Sequence, residues 1–302
     1  MDGIINVYKE RGFTSHDVVA KLRGILRMKK IGHTGTLDPD ACGVLPVCLG
    51  HATKVCELLT DKRKTYEAVL LLGRETDTQD VSGQTLQEKE VNVTEEQVRQ
   101  VIAGFLGDQM QVPPMYSALK VDGKKLYELA REGKVIERKA RPVTFYELEI
   151  LSMELPRVRI RVTCSKGTYI RTLCHDIGQE LGCGGCMEEL LRTYVEPFAL
   201  ETSLTLAQIQ QLADDGRVEE ILCPVEQLFA DMPACVIRSE FCKYMYNGNP
   251  LKTSWVELRT GSEGSMPVPE IRLYTEQNVF FGIYEYQQDR RQYKLKKMFY
   301  GG

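Results

Sequence analysis

Asp38 stands in the stretch GHTGTLDPDACGVLP, residues 32–46, where Gly32, Gly35, Gly43, Pro39 and Pro46 argue against helix and strand alike. Pro39 biases the backbone of Asp38 towards an extended conformation. Leu37, Val44, Leu45, Val47 and Leu49 are apolar, so the loop packs down and draws its carboxylate towards the interior. A buried carboxylate is costly unless a cation pairs with it. Held rigidly at a near-attack distance of roughly 3–3.5 Å, such a group serves as a nucleophile or stabilises a positive centre. A lone aspartate in a loop is also a common helix cap, turn former or surface residue. Several arginines could supply the cation, and spacing does not choose among them.

Other chemistries find no support. The stretch lacks the GxxxxGK[ST] order of a phosphate-binding loop, and neither GxGxxG after a strand nor GxSxG occurs. His16, His33, His51 and His175 show no metal-ligand spacing. Of the ten cysteines, only Cys183 and Cys186 form a CxxC, with no second pair at zinc-ligand spacing; they read as reduced structural thiols. No cofactor or metal is expected. No run of about 18 apolar residues occurs, and the first 30 residues do not read as a signal peptide, so a cytoplasmic protein is expected.

The net charge of −3 over 302 residues is distributed in blocks. Residues 1–64 carry +4, 115–175 carry +6 and 241–302 carry +3, while 65–114, 176–200 and 201–240 are acidic. Basic segments that meet on one face can bind a polyanion despite an acidic total, although solvated surface is the simpler reading.

These residues need elements to position them. Ser15 is placed to cap a helix with Val18, Val19, Leu22, Ile25 and Leu26 on one face. A short helix is expected in ATKVCELL, a strand in TYEAVLLLG (65–73), and a helix over 93–107 capped by Thr94. The basic stretch 111–141 opens with Pro-Pro and contains a VDGK turn and a short helix; it reads as an inserted arm. In RVRIRVTC, Val158, Ile160, Val162 and Cys164 alternate with Arg157, Arg159, Arg161 and Thr163, predicting a half-buried strand with one basic face. A helix then follows Tyr169 with Arg171 at its entrance. The segment 205–229 reads as helices, and the chain after residue 231 as short strands joined by the turns YNGNP, RTGSEG and TEQN.

GHTGTLDPDACGVLP resembles the active-site motif of the TruB-type tRNA pseudouridine-55 synthases. The resemblance continues in order through KTYEAVLLLGRETDTQD (64–80), QVPPMYSALKVDGKKLYELAREG (111–133), CSKGTYIRTL (164–173) and LLRTYVEPF (190–198). It covers about residues 1–200. It implies an α+β pseudouridine-synthase fold, with a mainly antiparallel mixed sheet flanked by helices. The catalytic domain would span 1–230, with an RNA-gripping insertion at about 111–141. A small β-rich PUA-like RNA-binding domain would span 231–302, where the similarity is weak.

The resemblance also implies the reaction, isomerisation of uridine 55 in the T loop of tRNA to pseudouridine after the base is flipped out. The family's catalytic aspartate falls on Asp38, as nucleophile or stabiliser of a glycosyl intermediate. Tyr66 matches the tyrosine that stacks on the target base, and Arg171 the arginine that pairs with the catalytic carboxylate and would lower its pKa. Tyr169 and Leu190 match residues packed around the flipped nucleotide. His33 matches the histidine that fills the space the base leaves, and Asp80 a polar residue of the same pocket. Lys120, Lys124, Lys125, Arg131 and Arg141 become candidates for phosphates. The partner is tRNA, and a monomer is the default. Two departures stand out: Leu190-Leu191-Arg192 replaces the usual Leu-Arg-Arg, and Asp40 adds an acid that should turn outward. A non-catalytic tRNA-binding protein and a synthase for another RNA remain the rival readings.

Overall fold

The computed structural model describes residues 1–121, 123–259 and 266–300. In chain order its first strands are β1 (Gly3–Lys9), β2 (Ile31–His33), β3 (Cys42–Leu49), β4 (Lys64–Leu72), β5 (Arg74–Thr76), β6 (Thr85–Glu88) and β7 (Gly107–Gln111). There follow β8 (Lys120–Val121), β9 (Lys124–Lys125), β10 (Arg141–Glu154), β11 (Arg157–Cys164), β12 (Gly185–Val195) and β13 (Phe198–Ala199). The helices that matter here are α1 (Ser15–Ile25), α2 (Cys56–Thr60), α3 (Glu95–Gly104), α4 (Leu126–Arg131), α5 (Ile170–Glu180) and α6 (Leu206–Asp214).

One sheet runs β1-β3-β12-β4-β11-β10-β7, with β2 added to β3 and β13 to β12. Its pairs are antiparallel except β12 with β3, so the expected mainly antiparallel mixed sheet is present. The period-two pattern of β11 puts Val158, Ile160, Val162 and Cys164 into a core shared with α3 and α5. On the same face, at the β1–β3 end of the sheet, α1 and α6 bury Val18, Val19, Leu22, Leu206 and Ile209 against Ile5, Val7, Leu45, Val47 and Leu49.

The arginine face of β11 is not an open basic surface. Arg157 pairs with Glu188 at 2.8 Å, Arg159 with Glu189 at 3.4 Å, and Arg161 with Glu67 at 3.0 Å and Glu149 at 2.9 Å. Neighbouring strands supply the glutamates, which the linear pattern of one strand cannot show. Exposed pairs of this kind add about 0–1 kcal/mol each. Their main consequence is to cancel the pull of this face on a polyanion.

Three local readings change. Thr14 rather than Ser15 caps α1, in a capping box with Asp17. The segment 205–229 forms α6 and then only short 3-10 turns at Val218–Ile221 and Val225–Phe229, because Gly216 (φ +71) and Pro224 interrupt it. Residues 42–46, poor strand formers by composition, are strand: β3 pairs with β1 from Gly43 to Leu49, and Cys42 with Leu191 of β12. Gly43 makes this possible. Its φ is +106, and a Cβ there would sit 2.2 Å from the carbonyl oxygen of Arg192 on β12. Gly43→Ala is therefore expected to cost about 3 kcal/mol or more, seen as a large fall in melting temperature. An unchanged melting curve would remove this account of the β3–β12 junction.

The last strands, Ala234–Ile237, Leu251–Lys252, Val256–Leu258, Glu270–Tyr274, Phe280–Gln287 and Gln292–Met298, form a separate six-stranded sheet with its own core. It rests on the larger body through Ile283, Phe280 and Phe299, which pack with Ile4, Val44, Val55 and Leu59. A short helix, Cys242–Tyr246, precedes the YNGNP turn. Most of the RTGSEG turn, and Asp122 of the VDGK turn, lie outside the described residues. Among the described residues no helix is long and apolar enough to cross a membrane.

Candidate active site

The loop 34–41 joins β2 to β3, and what it lacks in regular structure it regains in ties to its surroundings. Thr34 donates its N–H to Pro46 O at 3.1 Å. Ser15, almost fully buried, accepts from Leu37 N at 2.9 Å and donates to Leu37 O at 3.3 Å. Pro39 O accepts from Gly12 N at 2.9 Å and from the buried Lys9 Nζ at 3.0 Å. Ala41 N closes a turn onto Asp38 O at 3.1 Å. The backbone on both sides of Asp38 is thus pinned from β1 and α1. Asp40 is exposed, as expected.

The first turn of α5 supplies the cation. Arg171 Nε lies 3.0 Å from Asp38 Oδ2, and Nη2 donates to Asp38 Oδ1 at 3.3 Å, a two-point contact. The same guanidinium donates to Tyr116 O at 2.8 Å and Thr78 O at 3.0 Å, and Nη1 stands 3.6 Å from Asp80 Oδ2. Arg171 is 5% exposed, so its guanidinium is shielded from water while it makes these contacts. Asp38 keeps 40% of its side-chain surface open.

Burial pushes the Asp38 carboxyl above its ordinary range, and Arg171 offsets that only in part; Asp80 adds to the rise and Lys9 opposes it. Arg171 does lower the carboxyl's pKa, but desolvation is the larger effect and leaves the net shift upward. Asp80 has two sets of contacts. One carboxylate oxygen organises its own turn, accepting from Thr78 Oγ1 at 2.8 Å, Ser82 N at 3.0 Å and Ser82 Oγ, while the other faces Arg171.

Tyr66 points from β4 into the core beside the loop, opposite Val162 and Arg192 in the sheet register. It is 8% exposed, and burial pushes its phenol up to about 12, so it is neutral at physiological pH. Tyr169 is the N-cap residue of α5. Its backbone exchanges two hydrogen bonds with the Gln111 side chain, at 2.8 and 3.1 Å, which fixes the end of β7 to the start of α5. Leu190 is half-buried on β12, packed against the core that holds Tyr66.

His33 sits apart from this group. It ends β2 and lines a cleft of about 610 Å³ with His16, Arg23, Lys29 and Lys30; Asp38 is not part of that lining. Burial, and then the charge of Arg192, hold the His33 imidazole below its usual pKa, so it is neutral. Its Nδ1 is buried with no hydrogen-bond partner among the described residues.

The arm leaves β7 after Gln111 and returns as β10 at Arg141, and these two residues pair with each other. The excursion is a hairpin of β8 and β9 followed by α4. Lys120, Lys124, Arg131 and Arg141 are exposed on it, and Lys125 is half-buried. Lys125 and Arg131 lie over the Tyr127 ring, at 5.3 and 5.5 Å. The root of the arm reaches the site through Tyr116, whose carbonyl meets Arg171 and whose hydroxyl donates to Asp77 at 3.3 Å.

Sequence reasoning missed Lys9, Ser15, Tyr116 and Arg192. Only Arg192 carried a signal, as the arginine kept where the family motif has two. Among the described residues no cluster of three or more His, Cys, Asp or Glu could hold a metal ion.

Residues 23–170 match the model of the TruB family pseudouridylate synthase N-terminal domain, and 171–230 that of the tRNA pseudouridylate synthase B C-terminal domain. The second match ends before the six-stranded sheet begins. The tRNA pseudouridine synthase B of Lachnoclostridium phytofermentans is 54% identical over 310 residues, covering 99% of this chain and 100% of that protein. That of Alkaliphilus oremlandii is 46% identical over 295 residues, covering 97% and 96%. Among solved structures, a chain of an H/ACA ribonucleoprotein bound to a substrate RNA containing 2′-deoxyuridine superposes with a TM-score of 0.72 at 26% identity, over 99% of this chain and 85% of that one. With a paired aspartate set in its family's motif and relatives alike along its whole length, this chain belongs to the TruB family and is a pseudouridine synthase.

Proposed function

We propose that the chain isomerises uridine 55 in the T loop of tRNA to pseudouridine, with Asp38 as nucleophile, after the base has been flipped out of the loop. The observation that carries this is the two-point pairing of Asp38 with a buried Arg171 in a loop pinned on both sides. In the reaction the bond from N1 to C1′ breaks, the uracil turns, and C5 bonds to C1′. C5 loses its hydrogen as a proton and N1 gains one, so nothing is oxidised or hydrolysed. Asp38 attacks C1′ as the first bond breaks and is displaced when C5 returns, in the manner of carboxylate catalysis at a glycosyl centre.

Tyr66, Tyr169 and Leu190 wall the flipped nucleotide in this reading, and Asp80 holds Arg171 from the far side. His33 stays neutral in its cleft, as suits a side chain that takes the place of an uncharged base. Arg23, Lys29 and Lys30 around that cleft, with Lys120, Lys124, Lys125, Arg131 and Arg141 on the arm, meet the phosphates of the T stem and loop. The β-rich segment 231–302 acts as a PUA-like domain that extends this contact, and the enzyme works as a cytoplasmic monomer without a cofactor.

Unmodified tRNA carrying tritium at uridine C5 tests the proposal, with no metal or nucleotide added. Stoichiometric release is expected, and none after replacement of uridine 55 by cytidine. Tight binding without release would support a non-catalytic tRNA-binding protein. Release that persists after the replacement would move the target to another uridine.

A further inference from the structure

Cys48 lies on β3, which pairs with β1 on one side and β2 on the other, and its partner in register on β2 is Gly32. Residues directly opposite in an antiparallel pair turn their side chains to the same face. A Cβ on Gly32 would stand 3.3 Å from Cys56 Sγ, so the sulfur of Cys56 lies over Gly32, beside Cys48. Both cysteines belong to the apolar cluster that holds Ile4, Val44, Val55 and Leu59. Gly32 has no positive φ that would call for glycine; its missing side chain leaves room for the sulfur.

The two thiols differ in access. Cys48 is fully buried, whereas Cys56 is partly exposed and lines the cleft that holds His33, Arg23, Lys29 and Lys30. Sharing a proton with Cys48 holds the Cys56 thiol below its ordinary pKa, against burial, and Lys297, 3.8 Å from Glu57, adds to the effect. Cys48 is pushed up in return. An accessible thiol in basic surroundings next to a buried one is the arrangement of a reactive cysteine and its resolving partner. The only CxxC of the chain is placed differently: Cys183 and Cys186 are both buried, and burial pushes both thiols up.

We propose that Cys56 and Cys48 form a reversible redox site: a peroxide entering the cleft oxidises Cys56, Cys48 closes a disulfide with it, and the closure reshapes the cleft wall. The link to tRNA rests on the proposed function; the disulfide itself does not. The Cys56 thiolate attacks one peroxide oxygen, the O–O bond breaks, and the other oxygen leaves as water after taking up a proton. The Cys48 sulfur then attacks the sulfenic sulfur, the S–O bond breaks, and that oxygen leaves as water with the Cys48 proton. The two thiols lose two electrons in all, and one peroxide is reduced. Thiol–disulfide exchange with a dithiol restores the free pair seen in the structure.

Bonded sulfurs stand about 2 Å apart, closer than two thiols in contact, so one side must move. Strand pairing on both flanks holds Cys48 in place. The movement falls on Cys56 and on the turn Gly50–Val55 before it, whose Thr53 lines the same cleft.

The test treats the full chain with hydrogen peroxide, alkylates the remaining thiols and maps tryptic peptides without reduction. Cleavage after Lys30, Lys54 and Lys62 separates peptide 31–54, with Cys42 and Cys48, from peptide 55–62, with Cys56. A link between these peptides is expected, with fragment ions assigning it to Cys48, and a dithiol should remove it. Cys48→Ala should instead leave Cys56 as a sulfenic acid that dimedone traps. A link to Cys42, or a wild-type Cys56 that still alkylates fully after peroxide, would overturn the proposal, and neither result depends on how a variant folds.

Filter binding of unmodified tRNA reads the effect on the cleft. Oxidation is expected to weaken binding about three- to tenfold, the scale of one phosphate contact among several, and reduction to restore it. In Cys48→Ala, which cannot close the bond, peroxide should leave affinity unchanged. A disulfide without any change in affinity would overturn the link to the cleft. Failure of the reduced wild type to bind tRNA at all would count instead against the proposed function.

Discussion

Asp38→Asn is expected to reduce tritium release by at least about 10⁴-fold, the scale on which nucleophile replacements act, without unfolding the protein. Asparagine is close in size and its carbonyl oxygen still accepts from Arg171, while Asp80, 3.6 Å away on the other side, keeps a negative charge near that guanidinium. The sign of the stability change follows from the raised pKa. A carboxyl whose folded pKa lies above its unfolded value opposes folding at pH values above both, and the penalty fades as pH falls through the folded value. At pH 7 the variant should therefore melt no lower than the wild type, and any advantage should vanish in acid. The same shift sets the acid limb of the wild-type rate, which should bend at a pH above the ordinary aspartate value of 3.8. Release by the variant at the wild-type rate would mean that another carboxylate does the chemistry. A lower melting temperature at pH 7 would mean that the Arg171 contact outweighs burial.

What the sequence disclosed about this site divides by physical type. Residues marked by short-range rules were legible: the Gly- and Pro-framed loop, the alternation in β11, and the Thr94 cap, which the structure completes as a box with Gln97. Asp38 and Arg171 are separated by 133 residues, and composition and spacing alone left several arginines open. Their pairing came into view through motif resemblance, and the fold then brought the two side chains together. Contacts that depend on strand order were hidden. The glutamates opposite Arg157, Arg159 and Arg161 lie on β4, β10 and β12, and no local pattern announces that these strands flank one another or lie one strand apart. Lys9 and Arg192 were hidden for a related reason. Long cationic side chains are usually at the surface, and only backbone carbonyls exposed by a loop and a glycine junction make their burial feasible. The net pKa of Asp38 was the hardest to foresee, because it is a contest between burial and a partner and only the three-dimensional packing decides it.

Arg171→Met is expected to have the largest combined effect on stability and rate. It leaves Asp38 and Asp80 facing each other without a cation, and it leaves Thr78 O and Tyr116 O without their donor. Breaking a buried pair from one side typically costs about 3–5 kcal/mol. Because Asp80 already raises the Asp38 carboxyl and Arg171 lowers it, removing the arginine drives that pKa further up. The acid limb of any residual activity should then move to higher pH, and release at pH 7 should fall by about 10³-fold or more. Tyr116 adds a second consequence, since its carbonyl ties the root of the basic arm to the same guanidinium. Loss of that tie should weaken tRNA binding as well as chemistry, in contrast to Asp38→Asn, which leaves the tie in place. Arg171→Lys separates charge from geometry. An ammonium retains the positive charge but cannot span Asp38, Asp80 and two carbonyls at once, so stability should recover in part while the rate stays about 10- to 100-fold down. Full recovery of the rate by lysine would show that a point charge suffices; the forked contact would then hold the carboxylate's rotamer without speeding its attack.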